Sequence, residues 1–220
     1  MHNDTFERLP LADAELWLQR GFLSANEAAA YFDRLLHELK WGQGSAVLFG
    51  RTYKIPRLQA WYGDPDTQYT YSGMRLTAAP WTATLSELKS RIARAIDAPF
   101  NSVLANLYRD GGDGVGWHSD DERDLGIDPV IGSLSLGATR RFQLRHRTRR
   151  DLPIVNLDLE HGSLLIMAGQ MQTHWRHQIP KTKAPVGARI NLTFRRVRAS
   201  AVASDHTQRP GSQESSTQLK

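Results

Sequence analysis

Cysteine is missing from all 220 residues. Disulfide staples, zinc–thiolate sites and cysteine nucleophiles are therefore excluded. Also missing is any apolar stretch near the roughly 20 residues that a membrane-spanning helix needs. The start, Met1-His2-Asn3-Asp4, lacks the basic segment and apolar run of a secretory leader. No internal repeat is visible. The expectation is a cytoplasmic monomer that does not contact a membrane. What is present suits one globular core: 220 residues, 40% of them hydrophobic. The formal charge of +5 favours an anionic partner without naming it.

Ser24 and Glu27 form a capping box ahead of Ala28, Tyr31, Phe32, Leu35, Leu36 and Leu39, an apolar face at helical spacing. This predicts a helix from Ala25 to Lys40. Pro80-Trp81-Thr82 opens a second, carried by Leu85, Leu88, Ile92 and Ile96. Between them, Ser45 to Phe49 and Thr52 to Trp61 read as extended, with Gly50-Arg51 as the turn. Apolar patches at Leu16-Trp17-Leu18 and Gly21-Phe22-Leu23 remain unassigned. From residue 101 the pattern becomes short strands: Ser102 to Arg109, Ile131 to Leu136, Arg141 to His146, Val155 to Leu159, Ser163 to Met167 and Arg189 to Arg195. Asp110 to Gly114 reads as a turn-rich loop leading into His118. Helices first and strands after predict a mainly β (α+β) fold, a sandwich or barrel with the helices packed outside. Residues 1–198 form one domain, and 199–220, polar and poor in large apolar side chains, read as a disordered tail.

His118-Ser119-Asp120 places an imidazole and a carboxylate on one side of an extended chain. With one more histidine they would form a 2-His-1-carboxylate triad, which binds non-haem Fe(II) and leaves positions open. The tripeptide alone is common by chance. The third ligand could come from His174 or His177, which in a strand would face opposite ways. In Arg189 to Arg195, the residues Arg189, Asn191, Thr193 and Arg195 share one face. The two arginines lie roughly 20 Å apart at Cα. Their side chains could converge on a small dicarboxylate. Asn106 and Tyr108 share a face of another strand and could add neutral donors.

Taken together, Asn106-Leu107-Tyr108-Arg109-Asp110-Gly111, His118 to Glu122, His161 to Leu165, His174-Trp175-Arg176-His177 and Arg189 to Arg195 carry a resemblance. From about Val47 to Val197 the chain resembles the AlkB family of Fe(II)- and 2-oxoglutarate-dependent dioxygenases. Within it, the chain resembles the DNA repair branch of human AlkB homologue 2 and its bacterial relatives. The resemblance implies a double-stranded β-helix, or jelly roll. It implies that His118, Asp120 and His177 hold the metal and that Asn106, Tyr108, Arg189, Asn191 and Arg195 contact 2-oxoglutarate. Fe(II), 2-oxoglutarate and O2 are then required. The implied reaction removes N-methyl groups from 1-methyladenine and 3-methylcytosine in alkylated DNA, duplex or single-stranded, and releases formaldehyde, succinate and CO2.

The resemblance also implies a nucleotide-recognition region at about 41–80. There Phe49 and Gly50 tip a hairpin that enters the duplex in place of the flipped base, and Tyr62 contacts the base. Asp121 and Glu122 would attract the cationic lesion. Arg141, Arg145 and Arg147 fall on one side of a strand, as a phosphate-tracking stripe would. Two other readings remain: an RNA or tRNA demethylase of the same family, and a non-catalytic nucleic-acid-binding module.

Overall fold

The computed structural model describes residues 6–48, 50–65, 67–71 and 74–198. The expected tail, 199–220, and Phe49 lie outside the described residues. Two β-sheets carry the fold. The larger has eight strands, in the order Glu7–Arg8, Glu15–Gln19, Leu164–Ala168, Ile131–Gly137, Arg189–Arg195, Ser102–Tyr108, Leu58–Gly63 and Ala79–Pro80. The smaller runs Val115–His118, Trp175–Ile179, Arg140–His146, Val155–Leu159. Apart from the parallel Leu58–Gly63/Ala79–Pro80 edge, neighbouring strands pair antiparallel. This is the expected jelly roll with its helices outside.

Alternation decides which side chains go where. On one face of the large sheet Val103, Ala105, Leu107, Leu134, Leu136, Ile190, Leu192 and Phe194 are buried with Leu35, Leu85, Leu88 and Ile92 from two helices. The first helix spans Ala25–Glu38; Ser24 and Glu27 cap it reciprocally, as the sequence predicts. It stops two residues short of the expected end because Leu39 turns extended and Gly42 bridges to Gln59. The second spans Ala83–Ile96 behind the N-cap Thr82. The opposite face of the large sheet looks at the small one. A second cluster fills part of that gap: Leu16, Leu18, Ile131, Phe142, Leu144, Leu165, Met167 and Trp175.

Three local expectations need correction. Glu15–Gln19, seen only as an apolar patch, is a strand paired to Leu164–Ala168, with Leu16 and Leu18 inward. Val115–His118, left without an element of its own after the expected Asp110 to Gly114 loop, is a strand of the small sheet. The run from Thr52 to Trp61 is broken around Pro56, which cannot donate to a ladder. Arg51–Lys54 pairs back on Ser45–Leu48, while Leu58–Gly63 joins the large sheet.

Candidate active site

The two histidines of the expected metal triad come from the small sheet. Val115–His118 and Trp175–Ile179 run antiparallel with His118 opposite His177, and their ring centroids are 4.3 Å apart. Asp120 follows two residues after the first histidine. One ligand atom from each of His118, Asp120 and His177 lies within 4.8 Å of the other two. His118 Nδ1 is 2.8 Å from the Gly116 carbonyl. A carbonyl only accepts, so Nδ1 carries the proton and Nε2 keeps its lone pair for a metal. His177 is buried, and its Nδ1 has no hydrogen-bond partner. Burial and the neighbouring His118 push its pKa down to about 3, so it stays a neutral imidazole, the ligand form.

Asp120 is held from two sides. Its backbone N–H donates to Gln172 Oε1 at 2.9 Å, and Arg195 Nη2 donates to Oδ1 at 2.8 Å. Burial opposes its charge, but the Arg195 guanidinium beside it outweighs that and keeps the carboxyl below its ordinary range. Two imidazoles and one ionised carboxylate, with an orphaned ring nitrogen on the buried His177, suit ferrous iron. His174 ends a short helix, Met171–His174, and stacks on His146 instead. The two candidates are thus separated by a change of element, not by strand alternation.

The inward face of the large sheet supplies the rest of the cavity. Gln59, Asn106, Asn191 and Ser135 lie in one row across four strands; Trp61, Leu104, Thr193 and Ser133 form the next. A third row sets Tyr108 beside Arg189. Asn106, Tyr108, Arg189, Asn191 and Arg195 all line the cavity that His118, Asp120 and His177 border. Asn106 Oδ1 accepts from Arg57 Nε at 2.7 Å, which leaves its Nδ2 as donor. Asn191 Nδ2 donates to Ser133 Oγ and the Leu134 carbonyl. Arg189 is 1% exposed. Its Nη2 donates to Ser135 Oγ at 2.9 Å, while Nε and Nη1 are buried without a partner. Burial pulls its pKa down to about 10, so it is still a cation at neutral pH.

The two strand arginines therefore divide their work: Arg195 pairs with the metal carboxylate, and Arg189 keeps unpaired donors. A symmetric clamp, one arginine at each end of a dicarboxylate, was not the arrangement found. Sequence reasoning also missed Arg57 and Ser133, which line the cavity beside Thr193. The polar alternation of Ser133 and Ser135 could have signalled the second; nothing local marks Arg57.

The substrate-side expectations fare unevenly. Asp121 is exposed and accepts from Arg147 Nη1 at 2.9 Å. Glu122 is half-buried, and its Oε2 has no hydrogen-bond partner. Gly50 sits at the hairpin turn with φ +75°. Tyr62 needs correction. It points to the helix side of its strand, 4% exposed in the main core, and its hydroxyl accepts from Lys40 N–H at 3.0 Å. It cannot stack on a base there. The arginine stripe faces outward as expected, but two members are engaged: Arg141 with Asp158 at 2.6 Å and Arg147 with Asp121. Arg145 lies over the Trp117 ring, 4.5 Å from its centroid, and faces Arg176 across the sheet.

A family model described as the 2OG-Fe(II) oxygenase superfamily matches residues 15–195. Rat alpha-ketoglutarate-dependent dioxygenase alkB homolog 3 is 42% identical over 196 residues, 86% of this chain and 66% of that protein. The chain thus spans just under two thirds of the rat protein's length. Mouse DNA oxidative demethylase ALKBH2 is 41% identical over 180 residues, 78% of this chain and 75% of that one. Among solved structures, one titled "The structure of OsALKBH1" covers 87% of this chain and 99% of its own, with a TM-score of 0.64 and 17% identity. That likeness is one of fold.

Proposed function

Because the chain belongs to the 2OG-Fe(II) oxygenase superfamily, and within it to the AlkB group, we propose that it is a DNA repair enzyme that oxidatively removes N-methyl groups from alkylated bases. The observation that carries this reading is one cavity with two distinct recognition ends. At one end is a His-Asp-His group with Asp120 and His177 buried; at the other is a buried guanidinium with two unsatisfied donors. Relatives whose names specify DNA oxidative demethylation, at about 40% identity, supply the substrate class.

Ferrous iron would sit on His118, Asp120 and His177; with bound 2-oxoglutarate and O2 it supplies the oxidation that releases formaldehyde, succinate and CO2. The chain's own residues bind and orient. Arg57 and Arg189 are buried beside the cavity with no carboxylate hydrogen-bonded to them among the described residues. Such uncompensated cations are costly alone and favour a dianion in the cavity. Arg189 Nε and Nη1 are placed to donate to its far carboxylate, and the Tyr108 ring borders the same space. Arg195 fixes the direction of Asp120, so the carboxylate does not swing with occupancy. Asp121 and Glu122, next in sequence, place negative charge where a cationic base would arrive.

The test is anaerobic purification, then incubation with Fe(II), 2-oxoglutarate, O2 and methylated oligonucleotides, with demethylation read by mass. Turnover on methylated DNA that needs both Fe(II) and 2-oxoglutarate is expected, and comparing duplex with single strands ranks the two. Turnover on methylated RNA alone would replace the DNA reading with the RNA one. The monomeric state follows from the same preparation by light scattering. No helix among the described residues is long and apolar enough to cross a membrane.

A charge prediction arises here. Asp121→Asn should reduce activity on 1-methyladenine roughly three- to tenfold more than on neutral ethenoadenine, a modest factor because the group is exposed. Arg147→Gln removes the counter-ion of Asp121 and should move the same ratio the other way. Steady-state kcat/KM on the two lesions checks both, and parallel changes would count against the charge argument.

A further inference from the structure

Arg140 belongs to the densest basic run of the sequence, yet it does not face solvent. It is 2% exposed, at the start of Arg140–His146, and it touches neither the metal-binding residues nor a carboxylate. Its guanidinium donates to three carbonyls: Asp110 at 3.0 Å, Asp113 at 2.8 Å and Pro180 at 2.9 Å. The first two lie in the loop between Ser102–Tyr108 and Val115–His118. The third follows Trp175–Ile179. One side chain thus ties the strand of Asn106 and Tyr108 to both strands that carry metal histidines.

The same guanidinium lies over the Tyr108 ring, 5.6 Å from its centroid, and Arg189 lies over that ring at 5.3 Å. Two buried cations therefore share one aromatic ring. Each disfavours the other's charge, and the proximity of Arg140 helps depress the pKa of Arg189. Asp113 and Asp110 nearby favour the charge on Arg140, and an anion held at Arg189 would offset the repulsion between the two cations.

We propose that Arg140 is a positioning residue for the dicarboxylate co-substrate: it sets the Tyr108 ring beside Arg189 and adds a second positive charge behind the far carboxylate. This rests on the reading that 2-oxoglutarate occupies the cavity with that carboxylate at Arg189. The cation–π contact fixes the ring plane, and the three carbonyl bonds fix the guanidinium.

The experiment is equilibrium binding to the Mn(II)-loaded full chain without O2, followed by tryptophan fluorescence or calorimetry. Two keto acids are compared: 2-oxoglutarate, and 2-oxobutyrate, which has the same chelating head but no far carboxylate. Arg140→Met should weaken 2-oxoglutarate roughly tenfold and 2-oxobutyrate less than about twofold, with kcat at saturating 2-oxoglutarate nearly kept. Arg140→Lys retains a charge but not the three-way fork, and the preference for 2-oxoglutarate should fall about threefold. Equal weakening of both keto acids, or an unchanged preference, overturns the proposal. Should the Met variant fail to fold, the Lys variant decides by the same ratio. Arg189→Met separates the two ideas. If it leaves the preference intact, the placement of the far carboxylate is wrong. If it abolishes the preference while Arg140 variants keep it, only the role given to Arg140 fails.

Discussion

Arg195→Met is expected to destabilise the metal-free protein by about 3–5 kcal/mol, a fall of roughly 10 °C in melting temperature. Arg195 and Asp120 pair at 2.8 Å with side chains only 4% and 5% exposed. Removing the cation leaves a carboxylate in the interior with no counter-charge. The histidines beside it cannot compensate, because His177 is held neutral. A divalent ion can. Adding Mn(II) should therefore raise the melting temperature of the variant more than that of the parent. Paired thermal melts with and without Mn(II) check this; identical metal-free melting temperatures would falsify it.

Arg189→Met should do the opposite in the same strand. This guanidinium has one hydrogen bond, to Ser135, and two buried nitrogens with none. Replacing an unpaired buried cation by an apolar side chain of similar length is neutral or mildly stabilising. The metal-free variant should melt at or slightly above the parent temperature. Its affinity for 2-oxoglutarate should fall about a hundredfold, near 3 kcal/mol, because a bidentate charge-assisted contact in a dry site is lost. Metal binding should be unchanged, since Arg189 touches no ligand of the metal. Titration of 2-oxoglutarate into the Mn(II) form reads the affinity. A large drop in stability without a change in affinity would make Arg189 structural.

These opposite outcomes show what local pattern can and cannot reveal. The period-two alternation of Arg189–Arg195 identified the face, and the His118-x-Asp120 spacing suggested two side chains that the structure brings together with His177. The capping box of Ser24 and Glu27 placed the first helix within two residues. The pairing of Arg195 with a residue 75 positions earlier is a matter of tertiary register, which no window of sequence contains. Tyr62 was assigned to the base by resemblance, and its strand could not correct that: both faces are covered, so hydrophobicity does not say which is which. Val115–His118 was hidden by the glycines around it. Its strand conformation comes from pairing with Trp175–Ile179, not from its own propensity.

The register of Arg189–Arg195 between Ile131–Gly137 and Ser102–Tyr108 has one more consequence. Slipping that ribbon by a single residue would thrust its guanidinium groups among the helices and turn Ile190, Leu192 and Phe194 toward the chemistry. Such a misthreaded chain would lose its oily seam and its anion grip together. Quality control of folding and quality control of catalysis are therefore one inspection: a molecule that has closed its core has already set its cradle, and inactive but stably folded copies should be scarce.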